Sequence, residues 1–194
     1  MSKKMVYFFG KGQSEGKGAM KDLLGGKGAN LAEMAELGLP VPPGFTITTE
    51  ACDQYYRIGR EKLFAAIHDQ VEAALTKLEA TTGKTFAKGP NPLLVSVRSG
   101  AAASMPGMMD TVLNLGLNLE TAKALIKLTG NERFVMDSHR RFIQMFGDVV
   151  LGIEHDLFEH ALEAVKHEKN AKLDTDLTAA DLKEVIARYQ KVVR

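Results

Sequence analysis

Two periodicities share this chain. Up to about residue 117, short β-prone runs alternate with helical stripes; beyond it the apolar positions repeat only at helical spacing. Residues 5–9, Met-Val-Tyr-Phe-Phe, read as a strand closed off by Gly10, Gly12, Gly16 and Gly18, with a polar surface loop over 11–20. A helical pattern over Leu31, Met34 and Ala35 ends at Gly38, ahead of Pro40, Pro42 and Pro43. Residues 44–48 alternate as a strand does. Thr48 or Thr49 then caps a short helix over 50–58, which Gly59 closes. Leu63, Phe64, Ile67, Val71, Ala74, Leu75 and Leu78 place an apolar stripe on a packing helix stopped by Gly83. His68 lies beside that stripe and is expected to be partly buried.

After the turn signal Gly89-Pro90-Asn91-Pro92, the continuous run Leu93-Leu94-Val95-Ser96-Val97 predicts a strand buried on both faces. It ends in Arg98, followed by Ser99, Gly100 and a loop of small residues. Four helices are expected after that. Asn118 caps one over 119–129; the next runs over 131–146 to Gly147, and a third over 156–168. Thr178 and Asp181 resemble a capping box opening the last, which bears Leu182, Val185, Ile186, Tyr189 and Val192. The fold class is therefore α+β, with a mixed region over 1–117 and an all-helical one over 118–194.

Composition narrows the function without naming it. The 194 residues are 45% hydrophobic and 25% charged with a net charge of +1, so no chain-wide basic field points to nucleic acid or an anionic membrane. No apolar run approaches the length of a membrane span. A single Cys52 precludes an internal disulfide and fits a reducing compartment, so the cytoplasm is the expected location.

The candidate chemistry is cationic. Gly25-Gly26-Lys27-Gly28 precedes the start of a helix, an order that allows close backbone approach to an anion with a mobile ammonium beside it. It is not a Walker A motif, since Lys27 is followed by Gly28, and an exposed glycine turn reads the same way. Arg98, at the end of a strand and before small residues, offers a guanidinium where backbone is accessible. On the helix over 131–146, Phe134, Val135, Ser138, Phe142 and Met145 share a face. Arg141 borders that face, either reaching an anion along a cleft edge or covering core with its stem. Arg140 is expected to point to solvent, and His139, His155, His160 and His167 to lie on the surface. Asp110 is the only carboxylate of the loop region, while Asp174 and Asp176 read as turn residues. No G-x-S-x-G, H-E-x-x-H or C-x-x-C motif occurs.

Several stretches together resemble the pyruvate, phosphate dikinase family. They are Leu24-Gly25-Gly26-Lys27-Gly28-Ala29-Asn30-Leu31-Ala32-Glu33-Met34, Gly44-Phe45-Thr46-Ile47-Thr48-Thr49-Glu50-Ala51-Cys52, Ser96-Val97-Arg98-Ser99-Gly100, Ser104-Met105-Pro106-Gly107-Met108-Met109-Asp110-Thr111 and Arg140-Arg141-Phe142-Ile143-Gln144-Met145. The resemblance implies part of an ATP-grasp nucleotide-binding domain in a phosphotransferase that uses ATP with magnesium. In that family a phosphoryl group passes to a histidine on a swivelling domain, inorganic phosphate takes part, and a barrel domain turns pyruvate into phosphoenolpyruvate; a homodimer is possible. It further implies that Lys27 and Arg98 are catalytic and that Arg141 shares their cleft. Gly25, Gly26, Gly28, Ser99, Gly100, Met108, Asp110 and Thr111 join the nucleotide contacts, with the 105–111 loop closing over ATP. The magnesium ligands, phosphohistidine and barrel are expected outside these 194 residues, which alone are expected to be inactive. Ala102 stands where the family carries an arginine. The alternatives are a phosphoenolpyruvate synthase-like dikinase, or a module that binds nucleotide or protein without chemistry.

Overall fold

A computed structural model describes residues 3–100 and 110–194. The fold is α+β, and its residues fall into two compact units. Of the described residues, one comprises 3–84 with 99–100, the other 85–98 with 110–194. These units cut the chain elsewhere than between 117 and 118, because four of the later strands join the helices rather than the first sheet.

The first unit is built on β1 (Val6–Gly10), which pairs antiparallel with both β2 (Gln13–Ser14) and β3 (Gly44–Ile47). Val6, Phe8 and Phe9 are buried, because helices α1 (Lys21–Glu36) and α3 (Arg60–Thr82) both pack on this strand. The amide of Gln70 on α3 fastens the chain ahead of β1, accepting from the Met5 N–H at 2.7 Å and donating to the Lys3 carbonyl at 2.9 Å. Helix α2 (Thr49–Ile58) lies against α1 and α3 and buries Ala51. Leu63, Ile67, Ala74 and Leu78 form the buried stripe of α3, but Phe64 is half exposed. His68, expected to be partly buried, is instead exposed beside Asp69. The buried positions of α3 put it on the outward side of the stripe.

In the second unit, short parallel strands β4 (Thr85–Phe86) and β5 (Pro92–Leu93) pair with each other, and β6 (Val95–Arg98) pairs antiparallel with β7 (Thr111–Leu115). The single buried strand expected over 93–97 is thus two strands broken at Leu94. Pro92 and Leu93 are buried, whereas Ser96, Val97 and Arg98 are exposed. A two-stranded ladder has no layer on each face, so the apolar run alone misreads its surroundings. Four helices follow: α4 (Leu119–Thr129), α5 (Glu132–Val149), α6 (His155–Glu168) and α7 (Ala179–Val192). Their core is one continuous cluster including Val135, Phe158, Leu162, Val165, Leu182, Val185 and Tyr189. Phe158 and Tyr189 meet edge to face with ring centres 5.1 Å apart. Both rings are fully buried.

Candidate nucleotide-binding site

The glycine cluster lies inside a helix rather than ahead of one. Helix α1 begins at Lys21 and breaks at Gly25, whose φ of 68° and ψ of 165° leave the helical region. Such a φ strains any L side chain, so glycine belongs here. Gly28 is required for a different reason. A Cβ there would stand 2.8 Å from Cγ2 of Thr46, so its absence lets α1 close on β3. Gly26 meets no such constraint. Lys27 consequently occupies the first turn of the helical segment that restarts after the break. Its Nζ donates to the Ser99 carbonyl at 3.4 Å, holding the residue that follows Arg98 in the chain.

In the second unit, Arg98 closes β6 opposite Thr111 at the start of β7, and both Arg98 and Asp110 are exposed. Helix α5 packs on β7, where the Leu113 N–H points to Sδ of Met145 at 3.1 Å. Arg141 is one turn before Met145 on α5. Arg98 and Thr111 thus pair in one ladder, and Arg141 is carried by the helix packed on β7. Lys27, Ser99 and Gly100 belong to the first unit, where a Cβ on Gly100 would meet open space. Met108 and the rest of 101–109 lie outside the described residues.

Of the adjacent Arg140 and Arg141 on α5, the first departs from expectation. Arg140, expected in solvent, is buried, while the Arg141 side chain is 61% exposed. Arg140 donates through Nε and Nη2 to one oxygen of Asp137, at 3.1 and 2.8 Å, and reaches Gln144 and Asp174 at 3.4 Å each. Burial works against its charge, but Asp137 and Tyr189 outweigh that and raise its pKa. The other Asp137 oxygen accepts from Nε of Arg141 at 3.0 Å. One carboxylate thus bridges a buried and an exposed guanidinium. Asp137 was not singled out from sequence, although its i, i+3 and i, i+4 spacing to the arginines is the signal that marks helical ion pairs.

His139, expected on the surface, is buried as well, and its Nδ1 has no hydrogen-bond partner. Burial lowers its pKa, keeping it neutral. The buried face of α5 runs through Val135, Met136, His139, Arg140 and Gly147, one position round from the face that apolar residues alone select. Phe134 is exposed as a result. Among the described residues no three His, Cys, Asp or Glu side chains group so as to hold a metal ion.

Comparison with known proteins bears on these cations. Residues 21–69, which contain Lys27 but neither Arg98 nor Arg141, match the family described as pyruvate phosphate dikinase, AMP/ATP-binding domain. Over 98% of its length the chain is 58% identical to pyruvate, phosphate dikinase 1, chloroplastic, of Oryza sativa subsp. japonica, covering 20% of that protein. It is 56% identical to pyruvate, phosphate dikinase 1, chloroplastic, of Arabidopsis thaliana over 99% of the chain and 20% of the relative. It is 53% identical to pyruvate, phosphate dikinase of Rhizobium meliloti (strain 1021) over 98% of the chain and 21% of the relative. The chain spans about a fifth of the length of the curated relatives it matches. An identity above one half, sustained through both units, makes this chain pyruvate, phosphate dikinase family sequence, with residues 21–69 in the family's AMP/ATP-binding domain.

Proposed function

We propose that Lys27, Arg98 and Arg141 hold the polyphosphate of ATP and stabilise its charge during phosphoryl transfer in a pyruvate, phosphate dikinase reaction. In that reaction ATP, inorganic phosphate and pyruvate give AMP, pyrophosphate and phosphoenolpyruvate through a phosphohistidine carried on another domain. Phosphoryl transfer asks for positioning and charge stabilisation more than covalent help from the protein. Lysine supplies a mobile point charge and arginine a planar fork, so the three groups can share a chain of phosphates without duplicating one another. The observation carrying this reading is the setting of Lys27, which lies within the matched segment, follows the Gly25 break and is tied to the residue after Arg98. No step assigned to this chain runs through magnesium.

Calorimetric titration of the chain with ATP tests the proposal. Measurable binding is expected, weakened about tenfold by Lys27→Ala and by Arg98→Ala, the loss of one charge-assisted contact. Equal affinity in wild type and both variants overturns it. In a dikinase carrying the complete reaction, Arg98→Ala should lower turnover by roughly 10²–10³-fold.

A further inference from the structure

The bridge at Asp137 has a directional consequence. Nε of Arg141 is committed to Oδ2 of Asp137, while among the described residues its Nη1 and Nη2 donate to nothing. A guanidinium held at Nε presents its opposite edge, two parallel N–H donors, which is the edge that takes two oxygens of one phosphate. Exposure points the same way. Asp137 would cancel an isolated Arg141, but its other oxygen already accepts twice from Arg140, so the carboxylate is shared between two guanidiniums while Asp174 also pairs with Arg140 at 3.4 Å. The inner guanidinium is 4% exposed and the outer one 61%, so the outer fork is the one an anion in solution can reach. Arg140 is held in place, because Gln144 and Asp174 accept from its guanidinium and the residue is buried.

We propose that Asp137 is a positioning residue for phosphate binding: anchored by buried Arg140, it clamps Nε of Arg141 and aims the terminal fork at a phosphate group. This rests on the reading of Arg141 as a phosphate contact.

The geometry makes a prediction whose sign separates it from simple electrostatics. Removing the Asp137 charge makes the surface more positive, which alone should tighten anion binding. If Asp137 aims the fork, binding weakens instead. The test is titration of the chain with tripolyphosphate, using Asp137→Asn, Arg141→Ala, Arg141→Lys and the double variant Asp137→Asn/Arg141→Ala. ¹⁵N spectra follow the Arg141 Nε–H. Expected are about tenfold weaker binding for Arg141→Ala, a loss nearly as large for Asp137→Asn, and no further loss in the double variant. The Nε–H should be protected from exchange in wild type and unprotected in Asp137→Asn. Arg141→Lys leaves the buried pair untouched, so it reports even if Asp137→Asn folds poorly; it should bind nearly as weakly as Arg141→Ala. Unchanged or tighter binding in Asp137→Asn, or full affinity in Arg141→Lys, overturns the positioning role while leaving Arg141 as a contact. Unchanged affinity in Arg141→Ala overturns the phosphate role itself, whatever the spectra show.

Discussion

The two compact units fix their candidate cations by contrasting means. In the first, backbone conformation places Lys27: a break at Gly25 restarts the helix, and Gly28 lets that helix lie on Thr46. In the second, Arg141 is set by buried side-chain charge, through Asp137 and Arg140. The cores differ in the same direction. The helical unit has one contiguous apolar cluster, whereas around the first sheet Met5, Ala51, Leu63 and Ile67 form one small group, and Leu24, Ala29 and Ala32 another. A backbone-set position tolerates changes of neighbouring side chains but not of its glycines. A side-chain-set position depends on a few specific contacts within a strong core.

The largest effects should come from that core. Phe158 is wholly buried against Tyr189, and its ring fills the space that Gly147 leaves open. Phe158→Ala should cost about 3–5 kcal/mol, while Ile67→Ala in the smaller cluster should cost about 2 kcal/mol. Amide hydrogen exchange resolves the loss residue by residue. Equal losses at the two sites would break the contrast between the cores. Gly28→Ala should follow, at about 1–3 kcal/mol, since the new methyl drives into Thr46. Combining it with Thr46→Ala should recover part of that loss, whereas additive losses would mean that close approach is not what Gly28 provides.

Much of this architecture is legible in the residues. Asn118 and Thr178 cap where the pattern places them, and glycines 59, 83 and 130 end their helices. What escapes a reading of apolar periodicity is burial of polar groups. Arg140 and His139 count as surface residues in any hydrophobic stripe, yet the structure inserts one into a carboxylate network and leaves the other unpaired in the core. The helix break at Gly25 escapes for a related reason. A glycine can start, stop or interrupt a helix, and the glycine cluster alone carries no sign that the chain is already helical from Lys21. Likewise, Leu93 to Val97 carry no sign of how many strands will flank them. The cations Lys27, Arg98 and Arg141 were visible; the carboxylate that aims one of them was not.

Acidification should act unequally on the two halves. His139 has its folded pKa lowered by burial, so below the ordinary histidine value near 6.5 the unfolded chain takes up the proton first. Stability contributed by the neutral imidazole is complete above that value and falls as pH drops toward the folded pKa, by no more than about 1.4 kcal/mol per pH unit. Lys123, Glu132 and Lys183 line the same hollow as His139, with Lys183 paired to Glu132. Denaturant titrations between pH 7 and 5 should show the decline in wild type and a flatter profile in His139→Leu. Identical profiles would mean that burial of His139 does not couple folding to pH.

The smallest effects test the contrast at the helix ends. In the helical unit, Asn118 accepts from the Glu120 and Thr121 N–H groups, Asn131 from Phe134 and Thr178 from Asp181. In the first unit the residues ahead of its three helices, Met20, Thr48 and Gly59, make no side-chain cap. Thr48 has the right chemistry, yet its hydroxyl is buried without a partner. Asn118→Ala should therefore cost about 1 kcal/mol, through loss of two accepted bonds and the one it donates to Ala87. Thr48→Val keeps the shape and removes an unsatisfied group, so its effect should be neutral or stabilising by up to about 1 kcal/mol. Thermal or denaturant unfolding reads both. A clear loss at Thr48→Val would show that its hydroxyl does make a bond in solution, and the first unit would then hold its helix ends as the second does.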